Sequence, residues 1–212
     1  MRLDTLIYSR HEQGSAEWLA DRLGVITGSQ FKLARDRTKK GEYSSKANLY
    51  AMDTARERVG GTVLQPYQNA AMKIGSDHEP MAIAAYERLH GPVVDRTGFV
   101  YRADRKFGVS PDGLVGDDGM IEVKTLVGSD ALFTVLVERD YSSFIDQIMG
   151  SLWLLNRQWC DLILGVPDLA DEPFIVRLER DDDTISALER DLIVFDGLVS
   201  AYEESLRKRL GR

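Results

Sequence analysis

Apolar positions recur along this chain in two rhythms, one near 3.6 residues and one near 2, and they predict helices and strands interleaved from end to end. Residues 17–23 read as a helix stopped by Gly24, after which Val25, Ile26 and Thr27 lead into a turn at Gly28 and Ser29. Residues 31–34 open another helix, the basic stretch around Gly41 reads as a mobile loop, and residues 48–59 carry Leu49, Met52 and Ala55 at helical spacing. Beyond a loop at Gly60 and Gly61, residues 69–74 and 79–90 read as two helices, the second with Pro80 in its first turn and Gly91 past its end. Residues 92–102 are rich in β-branched side chains and read as a strand pair or one bent strand. Residues 107–115 and 120–127 read as a hairpin closed by a four-residue turn, Gly116, Asp117, Asp118 and Gly119.

The second half continues the alternation. Residues 143–156 place Phe144, Ile145, Ile148, Met149, Leu152 and Leu155 on one helical face, and residues 159–166 and 174–178 return to strand character. A closing helix aligns Ile185, Leu188, Leu192, Phe195, Val199, Tyr202 and Leu206 three and four apart. That seam buries against its own domain or against another subunit; Gly197 interrupts it, which favours the domain. No internal repeat or low-complexity linker divides the chain. The expectation is an α/β fold, a central mixed sheet flanked by helices, as one domain over residues 1–212 with a long C-terminal helix.

Composition narrows the class. With 43% apolar and 29% charged residues among 212, the chain has the make-up of a globular protein. No apolar run approaches the roughly 20 residues that cross a bilayer, and residues 1–10 are too polar for a signal segment, so a cytoplasmic, membrane-free protein is expected. Cys160 is the only cysteine, so neither an internal disulfide nor a cysteine-rich zinc cluster can form, and any metal must rest mainly on oxygen. The formal charge of −7 would repel a polyanion from an average surface point, yet it is polarised. Lys32, Arg35, Arg37, Lys39, Lys40 and Lys46 form a basic stretch interrupted by Asp36 and Glu42, while Glu179, Asp181, Asp182 and Asp183 form an acidic one.

The hairpin carries the chemistry. Side chains alternate across a strand, so Glu122 and Lys124 share a face while Ile121 and Val123 turn to the core, and Asp112 lies on the preceding strand. Folding gives no reason to gather three charges there, since each must be solvated, paired or metal-bound. The set suits phosphodiester hydrolysis with Mg²⁺, or Mn²⁺ in its place: hard carboxylates bind the ion, and Lys124 orients or deprotonates the water and counters charge on phosphorus. The backbone carbonyl of Val123, between the two side chains, is a further candidate ligand. An exposed strand with alternating charge would show a similar local pattern.

The run Val109-Ser110-Pro111-Asp112-Gly113-Leu114 followed by Ile121-Glu122-Val123-Lys124 resembles the PD-(D/E)xK nuclease core in the form carried by the lambda exonuclease (YqaJ-like viral recombinase) family. Trp18 with Arg22-Leu23-Gly24-Val25-Ile26-Thr27-Gly28-Ser29, the segment 75–86 containing Glu79, and Gln147 with Trp153 agree with that family in order and spacing. The resemblance implies a restriction-endonuclease-like core with Asp112 and Glu122 as metal ligands and Lys124 as the catalytic lysine. It also implies that Glu79 assists a second metal or its water and that Gln147 places the nucleophile or the lysine. On the residues alone, Glu79 would be an acid favoured by a helix N-terminus and Gln147 a polar helix-face residue.

Arg22, Ser29 and Ser110 match positions that bind a 5′-terminal phosphate, which suits a bidentate guanidinium and two hydroxyls. Arg35 or Arg37 would add a phosphate contact. Met72 falls where related enzymes present an apolar wedge to the duplex end, and a buried helix methionine is the competing reading. The implied activity is processive 5′-to-3′ digestion of linear double-stranded DNA to mononucleotides by a homotrimer ring, leaving a 3′ strand for a single-strand annealing protein. A restriction-like or junction-resolving endonuclease of the same superfamily is the alternative. His11, His78 and His90 are scattered, and only His78, beside Glu79, falls near this chemistry. No phosphate-binding Gly-x-x-x-x-Gly-Lys-Ser/Thr loop and no nucleophile elbow occurs.

Overall fold

A computed structural model describes residues 5–62, 70–91 and 93–212. The elements run β1 (Leu6–Tyr8), α1 (Ala16–Arg22), β2 (Ile26–Thr27), α2 (Phe31–Ala34), α3 (Ser45–Arg58), α4 (Ala70–His90), β3 (Val94–Asp95), β4 (Val100–Arg102), β5 (Phe107–Val109), β6 (Gly113–Val115) and β7 (Gly119–Thr125). Then follow α5 (Ser129–Leu132), α6 (Ser142–Leu155), β8 (Trp159–Gly165), β9 (Phe174–Glu179) and α7 (Asp182–Leu210). A 3₁₀ turn at Gly28–Gln30 precedes α2 and a π turn at Phe133–Val137 follows α5.

The mixed α/β class holds, but the strands divide into two sheets, β1-β4-β5-β2 and β3-β6-β7-β8-β9. Each contains one parallel pair, β2 with β5 and β7 with β8. The division falls within residues 107–115, expected as one strand. Pro111 has no N–H to give a ladder, and Ser110, Pro111 and Asp112 carry the chain from β5 in one sheet to β6 in the other. Asp112 therefore sits in a crossover rather than on a strand. Residues 92–102 divide the same way into β3 and β4 on different sheets, with Pro92 outside the described residues.

Other boundaries shift for local reasons. The hairpin register pairs Val115 with Gly119, so the turn has three residues, with Gly116 at φ 52. Gly119 is a strand residue: a Cβ there would lie 2.1 Å from the Trp159 ring. The two helices expected around Gly75 and Pro80 are one, α4, which runs through both, while Asn69 lies outside the described residues. Ser15 and Ser44 cap α1 and α3 by accepting from Trp18 N and Ala47 N. The buried side of α3 is Ala47, Ala51, Thr54 and Ala55, whereas Leu49 and Met52 are exposed. The basic stretch is a tight turn rather than an open loop: Arg37 bridges Tyr43, and Thr38 N donates to Glu42 O. The expected acidic patch is in part a helix cap, with Asp181 accepting from Asp183 N and Thr184 N.

The main core gathers α2, α3, α6 and α7 against β7 and β8, and the seam of α7 turns inward: Leu188, Leu192, Phe195 and Val199 are fully buried. A second core, Ala82, Ile83 and Tyr86 with Ile121, Val123 and Ile163, seats α4 on the other face of that sheet. Between these cores β7 is covered on both faces. One buried polar cluster fixes α4: the Tyr86 hydroxyl donates to Asp161 Oδ2 at 2.7 Å, and Arg177 grips the same carboxylate at 2.8 Å. Arg177 and Tyr86, outweighing burial, hold the Asp161 carboxyl below its ordinary 3.8. A carboxyl depressed in the folded state contributes stability above its unfolded value, and that contribution is lost as pH falls through the folded one. Asp161→Asn is expected to cost about 1.5–3 kcal/mol at neutral pH. In urea titrations the gap to wild type should close below about pH 4, and a pH-independent gap would contradict the assignment.

Candidate active site

Three elements deliver the predicted catalytic side chains to one place. β7 carries Glu122 and Lys124; the crossover before β6 carries Asp112; α6 carries Gln147. Because β6 pairs with β7 only as far as Gly113 opposite Ile121, the next inward N–H of β7, that of Val123, has no strand partner there. Asp112 Oδ2 takes it, at 2.6 Å. In an extended strand a residue's N–H and C=O point the same way, so the Val123 carbonyl opens on the side where Asp112 sits.

Glu122 is 2% exposed and Lys124 lies beside it, Nζ to Oε1 at 2.7 Å. Gln147 joins both: its amide donates to Glu122 Oε1 at 2.5 Å, and its oxygen accepts from Lys124 Nζ at 3.2 Å. The exposed charged strand is thereby excluded. Burial tends to discharge Lys124, but Glu122 and Asp112 outweigh it and hold the ammonium above its ordinary range. Burial, then Glu122 and Glu79, push the Asp112 carboxyl well above the usual range, against the opposing pull of Val123 N and Lys124.

This donor set fits a hard divalent cation. Glu122 Oε2 is buried without a hydrogen-bond partner, and such an unmet carboxylate oxygen costs about 1–3 kcal/mol or more until a proton or cation meets it. A cation would also relieve the crowding around Asp112. No cluster of three His, Cys, Asp or Glu ligands occurs among the described residues, so an ion here would rest on Asp112, Glu122, the Val123 carbonyl and water.

Glu79 enters from α4 close enough to act on Asp112, and in this arrangement it is held by Arg96 at 2.7 Å. His78, one residue earlier, fits a notch left by Gly165, where a Cβ would stand 2.3 Å from its ring, and its Nδ1 lies 3.4 Å from Thr125 Oγ1. Its place is structural, at the ends of β7 and β8, which pair Thr125 with Gly165.

A cleft of about 950 Å³ has Asp112, Glu79, Arg22 and Met72 among its lining residues. Arg22 lies over the Trp18 ring at 4.2 Å and the Phe99 ring at 5.1 Å, and donates to Ser110 Oγ at 3.1 Å. Burial is the main influence on its guanidinium and pulls its pKa down, opposed by Tyr50 and Glu57. Ser110 and Asp112 are two residues apart in the crossover, so one bend of the chain holds both the hydroxyl that meets Arg22 and the carboxylate that lines the cleft. Ser29 is exposed on the 3₁₀ turn and is not among the lining residues, whereas its neighbours Thr27 and Gln30 are. Arg35 lies elsewhere, engaged with Asp146 at 2.6 Å and Asp191 at 2.8 Å. Arg37 is stacked over Tyr43 at 3.9 Å and exposed. Of the pair, Arg35 is thus tied into the fold and Arg37 is the one presented to solvent.

Met72 is exposed on the cleft wall, which removes the buried-methionine reading. His11 also lines the cleft, bonded to Asp21 at 2.8 Å, and Arg96 does too; sequence reasoning placed neither there. A charged Arg96 just after β-branched Val93 and Val94 was a signal for Arg96, while His11 had none.

The profile of the YqaJ-like viral recombinase domain matches residues 17–158. Among solved structures, the chain is similar to an alkaline exonuclease from Laribacter hongkongensis, LHK-Exo, at 31% identity and TM-score 0.81 over 93% of this chain and 98% of that one. The same protein in complex with dAMP gives 32% identity and TM-score 0.82, with equal coverage. A phage-related exonuclease from Haemophilus somnus 129PT shares the fold at TM-score 0.64 and 16% identity, over 87% of this chain and 96% of that one. Among curated proteins none matches.

Proposed function

Since the chain belongs to the YqaJ-like viral recombinase domain family, we propose that it is a Mg²⁺-dependent exonuclease that degrades one strand of linear double-stranded DNA processively from the 5′ end. The observation that carries this reading is the joined network of Asp112, Glu122, Lys124 and Gln147, whose Asp112 lines the same cleft as Arg22, the partner of Ser110. The dAMP complex of the similar alkaline exonuclease supports a nucleotide-sized product.

Asp112, Glu122 and the Val123 carbonyl would hold the cation, with Glu79 contributing once it leaves Arg96. When bound, Mg²⁺ supplies Lewis acidity at the phosphate and a water of lowered pKa. Lys124, beside Glu122 and Gln147, would orient the attacking water and counter the negative charge that builds on the phosphorane oxygens. Gln147 fixes the rotamers of Glu122 and Lys124 together, so neither must reorganise during reaction. Arg22, resting on aromatic faces, is already stripped of much of its water, and with Ser110 it would clamp a terminal phosphate bidentately. The span from that clamp to Asp112 would then set which phosphodiester is cut. Ser29 and Arg37 would meet the DNA outside the cleft, and Met72 would press on its terminal base pair.

Processivity in a chain of net charge −7 is explained by a homotrimer ring with cationic groups turned to a central channel. The 3′ strand left behind would pass to a single-strand annealing protein. No helix among the described residues is long and apolar enough to cross a membrane, in keeping with a cytoplasmic enzyme.

A time course on one plasmid, covalently closed or linearised with 5′-phosphate or 5′-hydroxyl ends, tests the reading. Linear DNA alone should be consumed, faster with the phosphate, in Mg²⁺ but not in EDTA. Lys124→Ala should be slower by at least about 100-fold. Cutting of closed circles would instead favour the endonuclease alternative.

A further inference from the structure

Arg96 follows β3, and its guanidinium donates to Glu79 Oε1 at 2.7 Å. The pair is lopsided: the Arg96 side chain is 53% exposed and that of Glu79 19%. Both line the cleft that holds Arg22 and Asp112. Carboxylates on that wall, Glu12, Glu57, Glu79 and Asp112, outnumber its arginines, so a phosphate backbone entering the cleft meets repulsion unless each cation is free to act. Arg22 is packed between rings, which leaves Arg96 as the more solvent-facing arginine of the wall.

We propose that Arg96 is a phosphate-binding residue for the DNA backbone, parked on Glu79 in the free enzyme and transferred to phosphate when Glu79 turns to the cation. The inference rests on the cleft being a DNA site. Its chemistry is an exchange of partners. While Glu79 is unligated, its charge next to Asp112 and Glu122 needs a counter-ion, and Arg96 supplies one. Once a cation takes that place, Arg96 loses its partner at the moment a phosphate needs one. Both ion pairs conserve charge, so the exchange leaves no isolated charge in the cleft at either stage. The planar fork of arginine suits either carboxylate or phosphate, which lysine would serve less well.

The test is metal-free binding of a 5′-phosphorylated duplex, followed by fluorescence anisotropy over a range of salt in EDTA. Four proteins complete a cycle: wild type, Arg96→Gln, Glu79→Gln and the double variant. Arg96→Gln should weaken binding by less than about twofold where Glu79 is intact, and by roughly tenfold on the Glu79→Gln background, about the weight of one charge-assisted contact. On that background alone, Arg96→Gln should also lower the slope of log affinity against log salt by about 1. If Arg96→Gln has the same effect on both backgrounds, the residues act independently and the exchange is refuted. If wild type itself shows no affinity for duplex ends, the DNA reading of the cleft falls and carries this inference with it, a result distinct from an additive cycle.

Discussion

Asp112→Asn should reduce DNA hydrolysis by about 10²–10⁴-fold, the span for losing a group that acts at the reacting atoms, and should make the metal-free protein more stable. The asparagine oxygen can still accept from Val123 N, so the crossover between the sheets keeps its anchor. What disappears is a negative charge in a place that burial, Glu122 and Glu79 make unfavourable. Because the folded protein holds the Asp112 proton more tightly than the unfolded chain, wild-type stability falls as pH rises from the ordinary value of 3.8 towards the raised folded value. In thermal melts with chelator, the variant should therefore melt above wild type at neutral pH, and the two should converge in acid below 3.8. Adding Mg²⁺ should raise the wild-type midpoint and leave that of the variant nearly unchanged. A variant that melts lower than wild type in chelator at neutral pH would show that Asp112 serves the fold rather than the cation.

Phe195→Ala should cost about 3–5 kcal/mol, the largest stability loss expected from a single truncation here. Phe195 is fully buried on α7, with the Tyr43 ring edge-on at 5.6 Å and the Tyr50 ring stacked at 5.7 Å. Tyr50 in turn accepts from Thr27 N at 3.1 Å and lines the cleft, so the cavity would open behind the wall that faces Arg22. Urea denaturation gives the number, and Phe195→Leu, which refills most of the volume, should recover much of it. A loss under about 1 kcal/mol would mean that the site collapses freely and that α7 is not a fixed wall.

The strand and helix order was legible because periodicity survives in one dimension: β7, β8, β9 and α6 fall within a residue or two of where alternation and helical spacing put them. The buried face of α7 was legible for the same reason. Less visible was the change of sheet at Ser110-Pro111-Asp112, since both flanking strands are equally apolar and only the proline hints at a break. On α3 the rule misled, because alanines make the contact and the larger Leu49 and Met52 face outward. Within the site, the local pair Glu122 and Lys124 could be read from alternation. Gln147, Glu79 and Arg22 needed family resemblance, because nothing in a helix's own sequence says which polar residue will meet a strand. His11 had no signal by either route, and Arg96 only the presence of a charge after two β-branched residues, because their places in the cleft depend on the fold.

The order in which these pieces are made has a bearing on safety. A nuclease active while still on the ribosome could damage the genome that encodes it. Here Glu122 and Lys124 sit on a strand whose other neighbour, β8, is translated only after α6, and α6 brings Gln147. The hairpin of β6 and β7 leaves the ribosome first but has neither the glutamine bracket nor the sheet partner that organises its charges. On the proposed reading, a nascent or truncated chain ending before α6 would lack a working blade, and competence would arrive only when the late segments dock.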